Sequence, residues 1–140
     1  MPDNMYVLDT NVVSELMRAD PIASVVNWIL QQDTHQLFTT SVSEAELRFG
    51  VEIKPPGRKK QELVVGINQW LSDGFRGRIL PFDSKAAKHY AEIASQRRRE
   101  GRPISRTDCQ IAAVARSCNA ALVTRNVKDF LDIDIEIVNP

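Results

Sequence analysis

The 140-residue sequence predicts a three-layer α/β/α domain built on a central, mostly parallel sheet. Three observations carry that expectation. Short continuous apolar runs such as MYVLD (5–9) and AALVT (120–124) suit strands covered on both faces, as in parallel sheets. Segments with apolar residues at three-and-four spacing lie between those runs. Strands that alternate with amphipathic helices in this way pack as a sheet between helical layers.

Taken in order, MYVLD is the first strand and ends on an acid, Asp9. Asp, Thr and Asn are good turn residues, so Asp9-Thr10-Asn11 reads either as a capped turn or as polar groups at the carboxyl end of a buried strand, where open α/β sheets place their reactive groups. After Pro21, a favourable first helical residue, Ile22, Val25, Val26, Ile29 and Leu30 mark an amphipathic helix. HQLFTT (35–40) is a second strand candidate, and KPPGRKK (54–60) reads as a loop by its Pro-Pro-Gly. Leu63, Ile67, Trp70 and Leu71 mark a further helix that SDGF (72–75) interrupts, and GRILPF (77–82) is a weaker strand. A helix over 83–100 carries small residues at Ala86, Ala87, Ala91 and Ala94 and stops at Gly101, with Pro103 beyond. DIDIEIV (132–138) alternates strictly, with Ile133, Ile135 and Ile137 on one side, and reads as an edge strand with one wet face.

Size and composition bound the function. The length fits a single domain over residues 1–140 with its own core. Eighteen basic residues balance eighteen acidic ones, so no global field advertises a nucleic-acid partner and any such binding comes from a local patch. No apolar stretch is long enough to span a bilayer, and no basic flank precedes an apolar leader, so a cytoplasmic protein without a membrane partner is expected. Cys109 and Cys118 read as one helix's opposite faces, roughly 13 Å apart along its axis, too far to pair. Two unpaired thiols agree with a reducing compartment.

Three acids stand at element ends: Asp9, Glu46 in the helix after the second strand, and Asp108 at the start of a helix after the Gly-Pro break. Carboxylates without histidine or thiolate suit hard Mg²⁺ or Mn²⁺, and the chemistry suggested is hydrolysis of a phosphate ester. Ser43-x-x-Glu46 and Ser105-x-x-Asp108 also match the capping-box spacing or its Asp variant, and singly each acid is explained as well by capping. Asn126 and Asp129 share that spacing, and Asn126 reads first as a helix cap. The combination of three acids at three ends favours function.

SQRRREGRPISR gathers Arg97, Arg98, Arg99, Arg102 and Arg106 upstream of Asp108. They read either as a solvated helix end or as a grip for a phosphate backbone, with Arg97, Arg98, Arg102 and Arg106 the candidate contacts.

The segments VLDTNVVSEL, SVSEAELRFGV, ISRTDCQIAAVA and LVTRNVKDF, in that order and spanning nearly the whole chain, resemble the PIN-domain ribonucleases, in particular the VapC-type toxins of bacterial toxin–antitoxin pairs and their FitB-like branch. The resemblance implies a PIN-like α/β/α fold and a metal-dependent ribonuclease. It makes Asp9, Glu46 and Asp108 the acids that hold Mg²⁺ or Mn²⁺, with Asn11, Ser14 and Thr124 as supporting polar residues. The family's fourth acid falls on Asn126, whose neutral carbonyl weakens a second metal position. A homodimer, an RNA substrate such as tRNA, and a VapB- or FitA-like antitoxin that carries the DNA contact are also implied. Trp28, Phe49 and Trp70 are candidate partner contacts, with core packing the default for helical aromatics. Two rivals remain. A haloacid-dehalogenase-like phosphatase would use Asp9 as nucleophile but wants a second acid where Asn11 stands. A non-catalytic RNA- or protein-binding module would keep only the partner surfaces.

Overall fold

The computed structural model describes residues 4–140. Five strands, β1 (Tyr6–Leu8), β2 (Leu37–Thr40), β3 (Ile79–Leu80), β4 (Ala121–Val123) and β5 (Ile137–Val138), form one sheet in the order β3-β2-β1-β4-β5. Every pairing is parallel. Six α-helices accompany them: α1 (Thr10–Leu16), α2 (Ala23–Leu30), α3 (Ser41–Glu52), α4 (Arg58–Asn68), α5 (Ser84–Arg99) and α6 (Arg106–Ser117).

Successive residues of the central strands face opposite layers, because side chains in a strand alternate with period two. Val7 and Leu122 enter one core with Ile93 of α5, Cys109, Ile111, Ala112 and Ala115 of α6, and Phe130. Leu8 and Val123 enter the other with Val12 and Val13 of α1, Val25 of α2, and Ile67 and Leu71 from α4 and its extension. Two buried faces explain why β1 and β4 read as unbroken apolar runs. α6 places seven of its twelve residues in the interior, most of them Ala or Val, so it lies against the sheet with α5 packed alongside.

Several expected boundaries move. Pro21 lies outside α2, which begins at Ala23 with Ile22 as its N-cap; the Ile22 N–H donates to Glu15 Oε2 at 2.9 Å. The 54–60 loop is shorter than expected, since Gly57 (φ 143°) caps a helix that starts at Arg58. SDGF does not end α4 at once: the helix widens into a π turn over Gln69–Gly74 and stops at Phe75. The largest correction concerns 132–138. Only Ile137–Val138 pairs with β4, at the sheet edge. Asp132 and Asp134 take φ of 63° and 59°, left-handed values that Asp tolerates and a strand does not. Ile133 is still buried beneath this bent segment, so a series of turns reproduces the period-two pattern.

Cys109 is buried, Cys118 is half-buried at the C-cap of α6, and both are free thiols. Burial pushes the Cys109 thiol up to about 11. Trp28 packs edge-on against Tyr6 with ring centroids 5.1 Å apart, and Trp70 packs beside the core, whereas Phe49 is 65% exposed. No helix among the described residues is long and apolar enough to cross a membrane.

Candidate acidic site at the carboxyl end of the sheet

In the order β3-β2-β1-β4-β5, the chain builds outward on one side of β1 and then crosses to the other, so the topological switch falls between β1 and β4. Asp9 follows β1 and Thr124 follows β4, and the two meet at that point. The Thr124 hydroxyl donates to Asp9 Oδ2 at 2.9 Å, and the Asp9 N–H donates to the Val123 carbonyl at 2.9 Å. Asp9 Oδ1 accepts the Thr10 N–H at 2.7 Å, so Asp9 is also the N-cap of α1. The turn reading and the site reading of Asp9 are therefore compatible.

Glu46 reaches the same region from α3. The capping box expected for it is absent: Thr40 is the N-cap, its hydroxyl accepting the Ser43 N–H at 3.0 Å, and Ser43 lies inside the helix. Ser43 and Glu46 are instead one turn apart on one face. Thr10 Oγ1 donates to Glu46 Oε1 at 2.6 Å and lies 2.7 Å from Ser43 Oγ. A hydroxyl has one hydrogen to give, so Ser43 donates to Thr10 and Thr10 donates to Glu46. A second relay runs beside it, from the Asn126 N–H to Thr124 Oγ1 at 3.0 Å and on to Asp9. Thr10 and Ser43 were not among the expected site residues. The signal for them lay in the sequence, as the hydroxyl residue directly after Asp9 and the one three before Glu46.

Asp108 stands in the first turn of α6, where the Ser105 hydroxyl accepts its N–H at 3.1 Å. The cap on this helix is as expected, and the Asp108 carboxylate is half-buried above it. Burial raises the Asp9 carboxyl above the ordinary carboxylate range, against the Thr124 and Thr10 hydrogen bonds, and the charges of Asp108 and Glu46 raise it further. Burial likewise raises Asp108, opposed by Ser105 and reinforced by Asp129 and Glu46. Three carboxylates from three elements thus act on one another. They do not close into a ligand set as placed: among the described residues, no three His, Cys, Asp or Glu side chains are gathered tightly enough to hold a metal ion.

The remaining candidates divide. Thr124 is fully buried on Asp9. Asn11 and Ser14 lie exposed on α1 and form no hydrogen bond to the acids among the described residues. Asn126 does not cap with its side chain; its N–H joins the Thr124 relay, and its carbonyl accepts the Asp129 N–H at 3.1 Å. Arg97 is corrected outright as a phosphate contact: it is 4% exposed and spends its guanidinium on backbone carbonyls. Arg102 is paired with Glu100 at 2.7 Å and Asp132 at 3.4 Å. Arg98 and Arg106 are exposed with no ion pair among the described residues.

A sequence profile described as PIN domain matches residues 6–136. The chain belongs to the PIN-domain family. Among relatives of this PIN domain, VapC ribonuclease Y4jK of Sinorhizobium fredii is 35% identical over 136 residues, 97% of each chain. Toxin FitB of Neisseria gonorrhoeae is 37% identical over 97% of this chain and 98% of its own. The crystal structure of FitAcB from Neisseria gonorrhoeae superposes with a TM-score of 0.90 at 37% identity, over 97% of this chain and 98% of the other. The structure of FitAB bound to the IR36 DNA fragment gives 0.90 at 36% identity, over 97% and 95%. The parallel five-stranded sheet flanked by helices is the PIN-like α/β/α arrangement of these neighbours.

Proposed function

We propose that this PIN domain is a ribonuclease that hydrolyses phosphodiester bonds with Mg²⁺ or Mn²⁺ and serves as the toxin of a type II toxin–antitoxin pair. The observation that carries the reading is the hydrogen-bonded link at the carboxyl end of the sheet, where Thr124 and the Thr10 amide hold Asp9 and the Thr10 hydroxyl holds Glu46. The relatives named as a VapC ribonuclease and as toxin FitB support the same reading.

The donor set fits a hard cation, being carboxylate oxygen throughout. Asp9, Glu46 and Asp108 would hold the ion. When bound, it lowers the pKa of a water for attack on phosphorus and offsets charge on the leaving oxygen. The chain's own residues do the positioning. Thr124 and the Thr10 amide orient Asp9, the Thr10 hydroxyl orients Glu46, and the Ser105 cap presents Asp108 from the first turn of α6. Asn126 puts a neutral carbonyl where the family carries a fourth acid, which leaves a second cation less tightly held. Arg106, two residues before Asp108, and Arg98 at the end of α5 supply exposed positive charge for an RNA backbone such as that of tRNA. The partner is a VapB- or FitA-like antitoxin that carries the DNA contact, the assembly is built on a homodimer, and the compartment is the cytoplasm.

Purified chain incubated with RNA and Mn²⁺ or Mg²⁺ should cleave it, EDTA should stop cleavage, and Asp9→Asn or Asp108→Asn should slow it by about 100-fold or more, a barrier increase of ~2.7 kcal/mol or more. A folded double variant that cuts at the parental rate overturns the reading. A binding module without catalysis is the second reading, favoured by Asn126, an amide where the family carries a fourth acid. It requires RNA binding without cleavage at millimolar Mn²⁺.

A further inference from the structure

Arg97 lies two residues before the end of α5, 4% exposed, with no carboxylate in salt-bridge range among the described residues. Its Nη1 donates to the Arg102 carbonyl at 3.1 Å. Its Nη2 donates to the Asp129 carbonyl at 2.6 Å and the Leu131 carbonyl at 3.4 Å. Its Nε is buried without a partner. The backbone reinforces the first contact: the Arg102 N–H returns to the Arg97 carbonyl at 2.9 Å and the Gly101 N–H to Arg98 at 3.2 Å, with Gly101 at φ 70°. A buried cation without a counter-charge is costly, and an apolar side chain of similar volume would fill the space without that cost. What the guanidinium adds is a rigid fork that grips two chain segments at once.

Those segments both serve the acidic end of the sheet. Arg102 begins the short link to the Ser105 cap and Asp108, whereas Asp129 and Leu131 belong to the turn that follows Thr124 and Asn126. We propose that Arg97 is a positioning residue for the acidic site, clamping the link into α6 against the turn after β4 through three backbone carbonyls. The inference rests on the reading of that end as the reactive one, and it makes a structural clamp of an arginine that the sequence offered as a phosphate contact.

The test uses the full chain with Arg97→Lys, which keeps the charge and loses the fork, and Arg97→Ala, which leaves room for a guanidinium ion. Mn²⁺ affinity, read from the free-ion electron paramagnetic resonance signal, should fall by about 10-fold in both, the scale found when groups that orient metal ligands are removed. The kcat for RNA should fall with it, while KM changes less than twofold. Millimolar guanidinium should restore Mn²⁺ binding to Arg97→Ala, and equal sodium chloride should not. A merely destabilised protein would not be rescued by millimolar guanidinium, which is far too dilute to act on stability in general. Unchanged Mn²⁺ affinity and kcat in both variants overturn the inference, as does a lowered melting temperature without guanidinium rescue. A parent chain that binds Mn²⁺ but cuts no RNA removes the nuclease reading and leaves the Arg97 test intact. With a parent that binds no Mn²⁺ either, NMR decides: the amide signals of Asp108 and Asn126 must shift together in Arg97→Lys and revert with guanidinium in Arg97→Ala, and their failure to do so overturns the clamp.

Discussion

The Thr124 hydroxyl donates to Asp9 Oδ2 at 2.9 Å, joining residues 115 positions apart in the chain at the point where the strand order reverses. Both groups are buried, so the bond is the main side-chain support of a carboxylate with almost no access to water. Thr124→Val preserves the shape and deletes the donor. Leaving a buried acceptor short of its partner costs about 1–3 kcal/mol. Removing a donor to the charged form also raises the Asp9 pKa further. The variant should therefore lose more stability at neutral pH than near pH 4, and urea titrations at the two values will show it; equal losses would contradict the assignment.

The raised Asp9 and Asp108 carboxyls set the sign of a second expectation. Each binds its proton more tightly in the folded state than an ordinary aspartate, whose pKa is about 3.9. As pH rises above that value the unfolded chain ionises first, so stability is lost until the folded groups ionise too, and the full penalty is present at neutral pH. In EDTA, Asp108→Asn should melt no lower than the parent at pH 7, and the parent's gain in stability on acidification should shrink in both Asp9→Asn and Asp108→Asn. Added Mn²⁺ should then raise the parent's Tm, by the equivalent of ~2.7 kcal/mol at a hundredfold excess over Kd, and not that of the double variant. A parent Tm indifferent to Mn²⁺ would argue against a cation site.

Thr10 links the first strand's acid to α3. Thr10→Val removes the donor to Glu46 and strands the Ser43 hydroxyl, whereas Thr10→Ser keeps both bonds. Loss of such an orienting group costs about 10–100-fold in activity. RNA cleavage should fall on that scale in the valine variant and recover in the serine one. Equal activity in the two would show that Glu46 needs no orientation from Thr10.

The basic run separates into charges that are spent and charges that are free. Arg98→Gln and Arg106→Gln should each weaken RNA binding and reduce the salt slope by about 0.7, the single-strand value for one phosphate neutralised. Arg102→Gln should change the slope less, since Glu100 and Asp132 already hold that guanidinium. Fluorescence titrations against a labelled RNA over a range of salt concentrations measure all three. A larger effect at Arg102 than at Arg106 would reverse the ordering.

Much of this molecule is local enough to read from its letters. Uninterrupted apolar runs located β1 and β4 because both faces of those strands are covered, and Gly101 located the end of α5 because only a left-handed residue continues the chain there. Asp9 and Asp108 were recognisable as acids at element ends, whereas Glu46 stands midway along α3. What the letters left open were questions of direction and distance. Spacing could not tell a capping box from one face of a helix, so the letters left both readings open for Ser43, whose hydroxyl meets Thr10. Period-two alternation at 132–138 could not reveal that two aspartates turn left-handed. A run of arginines shows charge but not burial, and Arg97 alone among them is drawn inside by carbonyls of segments that are neighbours only after folding. Sequence by itself determined which residues are apolar, which are charged and where the backbone can turn, because those are properties of single residues and their near neighbours. Only the tertiary structure decided which hydroxyl serves which carboxylate and which cation faces water, because these depend on contacts between residues far apart in the chain.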